Sequence, residues 1–395
     1  MSTRNRWLLP SGIEEVLPED ARIIELYRRR LLDLYASWGY QLVIPPFIEF
    51  LDSLMVGECE DLNLQTFKLT DQLTGRTMGV RADMTPQVAR IDAHMLKSTG
   101  PTRLCYSGTV LHTRPETAGG TRSPLQIGAE LYGHSGIESD IEVILLMNST
   151  INACGIETIL LDLDHTGILE GLVDAAGFNQ DIQNDLYQIL QYKSLPDLEK
   201  LMSQTDCSGE IKSAVLDLLN LHGKKDVLQH ARTSLKAGGK QIQQCIDYLE
   251  QLSDTISSRL PAIDIHFDLA ESRGYHYQHG VVFTAFCANS GKELARGGRY
   301  DNIGATFGRA RPATGFSADL RQLITASNLK LEQPARIILA PAIDDPELSS
   351  AITQLRTQGE TVINSLGSEI NESELTGCTH SLQQENNKWV VKKIS

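Results

Sequence analysis

The chain has 395 residues, of which 41% are hydrophobic and 22% charged, and its formal net charge is −14. This length predicts two or three domains. No apolar run approaches the roughly 20 residues that a membrane span needs, and the N-terminus lacks the apolar segment of a signal peptide. The seven cysteines are scattered without a C-x-x-C pair, which favours a reducing cytoplasm and excludes a disulfide framework or zinc site. The acidic balance, without any long basic run, argues against nucleic acid as a main partner and against membrane association.

The first predicted element is an amphipathic helix over residues 18–38, with Gly39 as its C-terminal stop. Its apolar residues recur at helical spacing, at Ile23, Tyr27, Leu31, Leu34 and Trp38. The stretch YQLVIPPFIEF (40–50) follows and is apolar. Because its Pro45–Pro46 pair excludes a central strand, we expect a bend, a sheet edge or an interface there.

Strands and turns dominate residues 64–133. We predict strands in LQTFKLTD (64–71) and RTMGVRAD (76–83), followed by a helix from Thr85. RLCYSGTVLHT (103–113) and SPLQIGAELYG (123–133) then form an antiparallel hairpin around a Gly-rich loop. That loop is either plain turn chemistry or a flexible segment over a pocket or partner.

The second half of the chain alternates between helical and strand patterns. A helix at 137–154 and a strand at 156–165 precede a long stretch of helical periodicity, and strands return between 263 and 301. We predict a last helix at 316–328 and, after Pro334, a small α/β unit. The predicted domains are a core at 1–165 and 259–330, a helical insertion at 166–258, and a C-terminal α/β domain at 335–395.

Five segments in this order together resemble histidyl-tRNA synthetase, a class II aminoacyl-tRNA synthetase, over roughly residues 8–330. They are VIPPFIEF (43–50), VRADMT (80–85), RLCYSGTVLHTRPETAGGTRSPLQIGAELYG (103–133), ESRGYHY (271–277), and ARGGRYD with GRARPATGFSADLRQL (295–323). The resemblance implies an α+β fold with a mixed, mainly antiparallel sheet flanked by helices. It also implies that residues 43–50, as motif 1, form a dimer interface.

The resemblance fails where the family binds ATP. The motif 2 arginine falls on His112 and its partner glutamate on Arg114, while the motif 3 arginine falls on Gln322. Adenylation builds charge on the α-phosphate, and a neutral glutamine or a mostly neutral histidine cannot replace the arginines that stabilise it. We therefore expect a degraded ATP site and no adenylation. His112 is either a surface turn residue without a role or a residual ligand contact.

The amino-acid side of the site keeps its chemistry. The resemblance assigns histidine binding to Asp83, Thr85, Gln126, Glu130, Arg273, Tyr275, Tyr277 and Tyr300. Asp83 keeps the charge that an α-ammonium needs, and Gln126 and Glu130, four apart on one strand, face the same side. The alternative is an internal ion network kept as scaffold. Arg299 is either an anion contact or part of a turn that opens a helix.

A synthetase-like chain with a histidine-shaped pocket but without adenylation resembles the regulatory subunits of ATP phosphoribosyltransferase, which catalyses the first step of histidine biosynthesis. That family implies a non-catalytic, cytoplasmic subunit. It would join a short-form catalytic subunit in a hetero-octamer, activate it and confer feedback by L-histidine. No cofactor or metal is expected, since His276 and His279 have no third ligand nearby.

Two other functions remain open from the sequence. The first is a divergent but active histidyl-tRNA synthetase, which His112, Gln322 and the short C-terminal unit disfavour. The second is a synthetase-like RNA-sensing module, which would need a basic surface that a net charge of −14 does not suggest.

Overall fold

A computed structural model describes residues 7–55, 60–115, 120–270, 279–327, 336–367 and 377–394. The chain divides into two compact units, Met1–Leu329 and Lys330–Ser395. The α-helices are α1 (Pro18–Ser37), α2 (Leu51–Leu54), α3 (Glu60–Gln65), α4 (Thr85–Arg90), α5 (Ile137–Ala153), α6 (Gly167–Ala176), α7 (Gln180–Tyr192), α8 (Leu195–Gln204), α9 (Gly209–Leu218), α10 (Asp226–Ser234), α11 (Lys240–Arg259), α12 (Leu320–Ala326) and α13 (Pro346–Thr357). The strands are β1 (Gln41–Leu42), β2 (Ile48–Phe50), β3 (Lys68–Thr70), β4 (Thr77–Val80), β5 (Thr102–Thr109), β6 (Leu125–Tyr132), β7 (Ile159–His165), β8 (His222–Gly223), β9 (Asp264–Asp268), β10 (Val281–Cys287), β11 (Glu293–Arg299), β12 (Ala313–Asp319), β13 (Ile337–Ala340), β14 (Thr361–Asn364), β15 (His380–Glu385) and β16 (Lys388–Lys393).

A large sheet organises the first unit. Within the described ranges it has nine strands in the order β1-β5-β6-β12-β11-β10-β7-β9-β8. Only the β1–β5 and β7–β9 pairs are parallel, and the other pairs are antiparallel. The predicted α+β class with a mixed, mainly antiparallel sheet is therefore confirmed.

The predicted first helix and the Pro–Pro segment are also confirmed. Helix α1 buries Tyr27, Leu31 and Tyr35, one residue per turn on a single face. After it, β1 forms the outermost strand of the large sheet, and β2 is an outer strand of a separate three-stranded sheet ordered β2-β4-β3. The Pro45–Pro46 pair lies between these two edge strands, where its missing N–H groups interrupt no ladder.

The hairpin pairs as predicted. Strand β5 is antiparallel to β6 over eight residue pairs, from Thr102 opposite Tyr132 to Thr109 opposite Leu125. A buried cluster packs where the hairpin meets helix α4 and the chain after β11. Its residues are Met84, Val88, Ala89, Leu104, Tyr106, Val110, Tyr132, Tyr300, Ile303 and Ala313.

Between β7 and β9 the described chain forms six helices, α6 to α11, and the two-residue strand β8. Asn179 and Ser208 cap α7 and α9, because each side-chain oxygen accepts a backbone N–H three residues on. Helix α11 buries a stripe at helical spacing, at Ile242, Cys245, Ile246, Leu249, Leu252, Ser253 and Ile256. No helix in the described part of the chain is long and apolar enough to cross a membrane.

The prediction of a helix starting at Phe316 is wrong. Residues Ala313–Asp319 form β12, which pairs with β6 on one side and β11 on the other, and α12 starts only at Leu320. Because β12 is a central strand covered on both faces, its residues lack the polar–apolar alternation that marks a half-exposed strand. Asp319 ends the strand and caps α12, accepting the backbone N–H of Arg321 at 3.0 Å.

The second unit has a four-stranded sheet ordered β14-β13-β15-β16 and the helix α13. Its buried cluster consists of Ile338, Ala340, Leu348, Ile352, Val362 and Leu382. Strand β15 is hard to predict from the sequence. That strand, HSLQQE, carries three exposed polar residues at its end, so its apolar content is too low to stand out.

Candidate functional site

One face of the large sheet brings together the five predicted ligand residues that the structure describes, Asp83, Thr85, Gln126, Glu130 and Tyr300. Gln126 and Glu130 lie four apart on β6 and both point to the chain that leads into α4, since Gln126 bonds Asp83 and Glu130 bonds Thr85. The prediction that they share one face is confirmed. On the neighbouring strand β12, Gly315 lies opposite Glu130 and Asp319 lies opposite Gln126.

Glu130 is the centre of the site and is only 1% exposed. Three hydroxyl groups donate to its carboxylate. Tyr106 and Thr85 reach Oε1 at 2.9 and 3.1 Å, and Tyr300 contacts Oε2. No lysine, arginine or histidine of the described ranges lies within ion-pair distance of this carboxylate. A buried carboxylate whose hydrogen-bond donors are all hydroxyl groups is an unusual and energetically costly arrangement in a protein core.

Burial raises the pKa of Glu130, which is about 8 instead of 4.5, and the nearby charge of Asp83 contributes a smaller part of this rise. The hydroxyl bonds from Tyr300, Tyr106 and Thr85 oppose this shift because they stabilise the ionised form. The carboxyl group is therefore largely protonated near neutral pH. A cationic ligand beside it would favour ionisation.

Gly315 makes room for Glu130. A Cβ at this position would lie 1.5 Å from Oε2 and 2.5 Å from Cδ of Glu130. Gly128, two residues before Glu130, has the same function for Tyr106, whose hydroxyl would lie 2.5 Å from an added Cβ. Both glycines are required by close approach of side chains across the sheet.

Gln126 acts here on Asp83 and the backbone around it. Its Nε2 donates to Asp83 Oδ1 at 2.7 Å, and its Oε1 accepts the Met84 N–H at 2.9 Å. Asp83 Oδ1 also accepts the Thr85 N–H at 3.0 Å, and Oδ2 accepts no hydrogen bond from the described residues. Asp83 and Glu130 are thus two carboxyl groups in one site, and neither forms an ion pair with a cation of the described chain.

Tyr300 connects this site to a buried ion network. Its ring packs edge-on against Tyr132, with 6.5 Å between ring centroids. The preceding residue, Arg299, donates to Asp140 Oδ2 at 2.8 and 3.1 Å and also bonds the Ser139 hydroxyl. Arg299 thus lies at the end of β11 and pairs inside the protein, which neither of its two sequence interpretations anticipated.

The three residues predicted to mark a degraded ATP site lie in different environments. Arg114 and Gln322 are exposed. The expectation that His112 is a surface turn residue is wrong, because it is 5% exposed and forms a β-bridge with Thr66. Its Nε2 donates to the Ala82 carbonyl at 2.9 Å. The polar residues that follow it suggest a turn, whereas the bridge to Thr66, 46 positions earlier, is what buries it.

Arg273, Tyr275 and Tyr277 lie outside the described residues, as do residues 116–119 of the hairpin loop. Sequence reasoning missed Tyr106 and Gly315, which contact Glu130 directly or make room for it. Tyr106 could have been found, since on β5 it lies opposite Gly128 and so shares the face of Gln126 and Glu130. The local sequence does not indicate the importance of Gly315, because the requirement for a small residue at this position depends on strand register.

Comparison with known proteins shows the fold and the family of the chain. The family model described as histidyl-tRNA synthetase matches residues 12–323, and the one described as the ATP phosphoribosyltransferase subunit HisZ C-terminal domain matches residues 335–392. A solved structure of a histidyl-tRNA synthetase from Nostoc sp. PCC 7120 shares the fold, with a TM-score of 0.76 and 19% identity over 96% of this chain and 91% of that one. The first unit thus has the fold of class II histidyl-tRNA synthetases.

Full-length relatives define the family more closely. An ATP phosphoribosyltransferase regulatory subunit from Thioalkalivibrio sulfidiphilus is 50% identical over 100% of both chains, and one from Methylococcus capsulatus is 46% identical over 99% of this chain and 97% of that one. A Bacillus halodurans structure titled as an ATP phosphoribosyltransferase regulatory subunit/histidyl-tRNA synthetase has a TM-score of 0.80 at 26% identity, over 95% and 97% of the two chains. The chain belongs to the family of ATP phosphoribosyltransferase regulatory subunits, and an active divergent histidyl-tRNA synthetase is not favoured.

Proposed function

We propose that this chain is the regulatory subunit of a two-part ATP phosphoribosyltransferase. It binds a short-form catalytic subunit in a hetero-octamer, raises the activity of that subunit and transmits inhibition by L-histidine. The names and full-length similarity of its relatives support this proposal. Regulation of this kind requires that histidine bind one state of the complex more tightly than another.

The proposed histidine site is the pocket around Glu130 and Asp83. The observation that supports it is a buried carboxyl group, 1% exposed, that has hydroxyl partners but no cation in the described chain. The α-ammonium and imidazole groups of histidine supply the missing positive charge. In this arrangement Asp83 Oδ2 and Thr85 accept from the ammonium, and Glu130 pairs with the imidazole. Arg273, Tyr275, Tyr277 and Tyr300 complete the proposed set.

We also propose that the chain does not adenylate histidine. The His112 ring is bonded to the Ala82 carbonyl, and the exposed Gln322 carries no charge, so neither can stabilise a developing phosphate charge as arginine does. Histidine-dependent exchange of pyrophosphate into ATP should be at background level. Exchange at the rate of a synthetase would overturn this part of the proposal.

Activation is tested by adding the purified chain to a purified short-form catalytic subunit. We expect the rate of phosphoribosyl transfer to rise to a plateau with a fixed stoichiometry, and added histidine to lower it. An unchanged rate at saturating chain would refute the regulatory function.

Histidine binding is tested by calorimetric titration of the free chain and of the complex. Glu130→Gln should weaken binding by roughly 10- to 100-fold, because a charge-assisted hydrogen bond contributes about 1.5–3 kcal/mol. Glu210→Gln, which neutralises an exposed glutamate on α9, is the matched control and should bind as the native chain does. Absence of heat from both the free chain and the complex would remove the pocket from the proposal.

Self-association through residues 43–50 is the remaining partner proposal. Ile44 is 82% exposed, and Leu42, Phe47 and Ile48 beside it are also exposed, so this segment carries apolar surface that a dimer would bury. Ile44→Asp should shift sedimentation from dimer to monomer. Tyr192→Asp, a change at an equally exposed aromatic residue on α7, should leave it unchanged. A cytoplasmic location is proposed with this function.

A further inference from the structure

The carboxyl group of Glu130 is surrounded by groups that exchange protons but bring no positive charge. Tyr106 on β5 and Tyr300 after β11 contact it, Thr85 at the start of α4 bonds it, and Asp83 lies beside it through Gln126. Tyr132 packs against Tyr300 on the far side. The nearby acid Asp92 is neutralised separately by Arg311, at 2.8 Å. Within the described chain, the acidic groups facing Glu130 therefore have no cation of their own.

Hydroxyl groups suit both protonation states of such a carboxyl group. Each can donate to the ionised form or accept the proton of the neutral form. These hydroxyl groups can therefore hold neutral Glu130 without leaving a buried donor unpaired. Gly315, which lies opposite Glu130 on β12, makes room for the carboxyl group because it has no side chain.

We infer that Glu130 is the proton donor of the sensor, and that it transfers its proton to a ring nitrogen of the bound ligand's imidazole. This inference rests on the proposed histidine site. In the transfer, the Glu130 O–H bond breaks and its electron pair stays on the carboxylate oxygen. The ring nitrogen uses its lone pair to form the new N–H bond. The result is an imidazolium–carboxylate pair in a buried site, where such a pair is held more strongly than in water.

The transfer fixes how many protons accompany binding at each pH. Free imidazole has a pKa of about 6.5, and burial raises the pKa of Glu130 to about 8. Between these pH values the free ligand ring and Glu130 are both neutral. Glu130 already carries the one proton that the bound pair needs, so binding neither releases nor takes up a proton. Below about 6.5 both partners carry a proton and binding releases one. Above about 8 neither does, and binding takes one up.

Affinity for histidine should therefore be highest between about pH 6.5 and 8. At pH 5 it should be roughly 30-fold weaker than at the maximum, and at pH 9 roughly tenfold weaker, since each pH unit beyond a limit costs about tenfold. The fall above pH 8 is the part assigned to Glu130. The fall in affinity below pH 6.5 begins where the ring of the free ligand takes up a proton. It would therefore also occur at a site without a carboxyl group that binds the neutral imidazole.

The test is calorimetric titration of the full chain with histidine from pH 5 to 9, repeated in two buffers of different ionisation enthalpy to count protons. We compare the native chain with Glu130→Gln, which cannot donate a proton, and with Tyr300→Phe. Glu130→Gln should keep the fall at low pH and lose the part of the high-pH fall due to Glu130. It also controls for loss of the ligand's ammonium proton, because that loss affects both chains equally. Tyr300→Phe removes a hydrogen bond that lowers the pKa of Glu130, so the high-pH fall should move to higher pH.

The outcomes separate the two proposals. A high-pH fall present in the native chain, reduced in Glu130→Gln and accompanied by proton uptake supports the inference. Binding that depends on Glu130 but shows the same high-pH profile in both chains, without proton uptake, overturns the inference and leaves the histidine site intact. Absence of binding at every pH overturns the site and the inference together. Tyr300→Phe keeps the inference testable if Glu130→Gln does not fold, because loss of the ligand's ammonium proton affects Tyr300→Phe and the native chain equally.

Discussion

The close approach of β12 to Glu130 gives a sharp prediction for Gly315→Ala. The added Cβ would lie 1.5 Å from Oε2, about half an ordinary contact distance, so the carboxyl group must move by roughly 2 Å. That movement breaks its bond with Tyr300 and strains those with Tyr106 and Thr85. Lost hydrogen bonds and overpacking together should lower the free energy of unfolding by about 2–4 kcal/mol. Because the carboxyl group is displaced from the position proposed to pair with the imidazole, histidine affinity should fall at least about 100-fold. This factor corresponds to roughly 3 kcal/mol of binding free energy.

The assay combines urea unfolding, followed by circular dichroism, with calorimetric titration by histidine. Gly100→Ala is the matched control, since a Cβ there meets nothing within 4 Å and its backbone is not left-handed. Gly315 is also outside the left-handed region, so any loss comes from space rather than backbone strain. A Gly315→Ala chain with native stability and native affinity would refute the reasoning.

Three further predictions concern stability. The pKa of Glu130 is about 8 in the fold against 4.5 in the unfolded chain, so this group's stabilisation is full below pH 4.5 and lost as pH rises to 8. Without histidine, the free energy of unfolding of Glu130→Gln, measured in urea, should therefore rise by several kcal/mol relative to that of the native chain between pH 5 and 8.5. A difference between the two chains that stays constant with pH would contradict this. Arg299→Met leaves Asp140 buried and unpaired, so we expect a loss of about 3–5 kcal/mol by thermal unfolding, partly recovered by adding Asp140→Asn; no recovery would argue against the ion pair as the cause. Asn179→Ala removes the cap of α7 and should cost about 1 kcal/mol; native stability would show that the cap contributes nothing.

The candidate site was partly predictable because some of its geometry is local. Gln126 and Glu130 lie on the same face because strand side chains alternate, which needs no knowledge of the rest of the fold. The function of Gln126 was not predictable in this way. Its amide holds Asp83 and the Met84 N–H, and these become neighbours only when the chain before α4 packs on β6.

The predicted degraded ATP site shows the opposite balance. The residue types at 112, 114 and 322 could be compared with the synthetase motifs directly. Burial of His112 could not, because it depends on the bridge to Thr66 and on the Ala82 carbonyl. Arg299 likewise pairs with Asp140, 159 positions away in the chain, and no pattern around either residue indicates that contact.

The sequence by itself determined the α+β class, the hairpin of β5 and β6, the edge position of the Pro–Pro segment and the residue types of the amino-acid site. These follow from periodicity, turn chemistry and motif order, which act over a few residues or are read in sequence. Only the tertiary structure decided that β12 is a central strand, that Gly315 makes room for Glu130, and that Glu130 is buried among hydroxyl groups without a cation in the described chain. The pKa of a carboxyl group depends on its desolvation and its neighbours, and both are set by packing between distant segments.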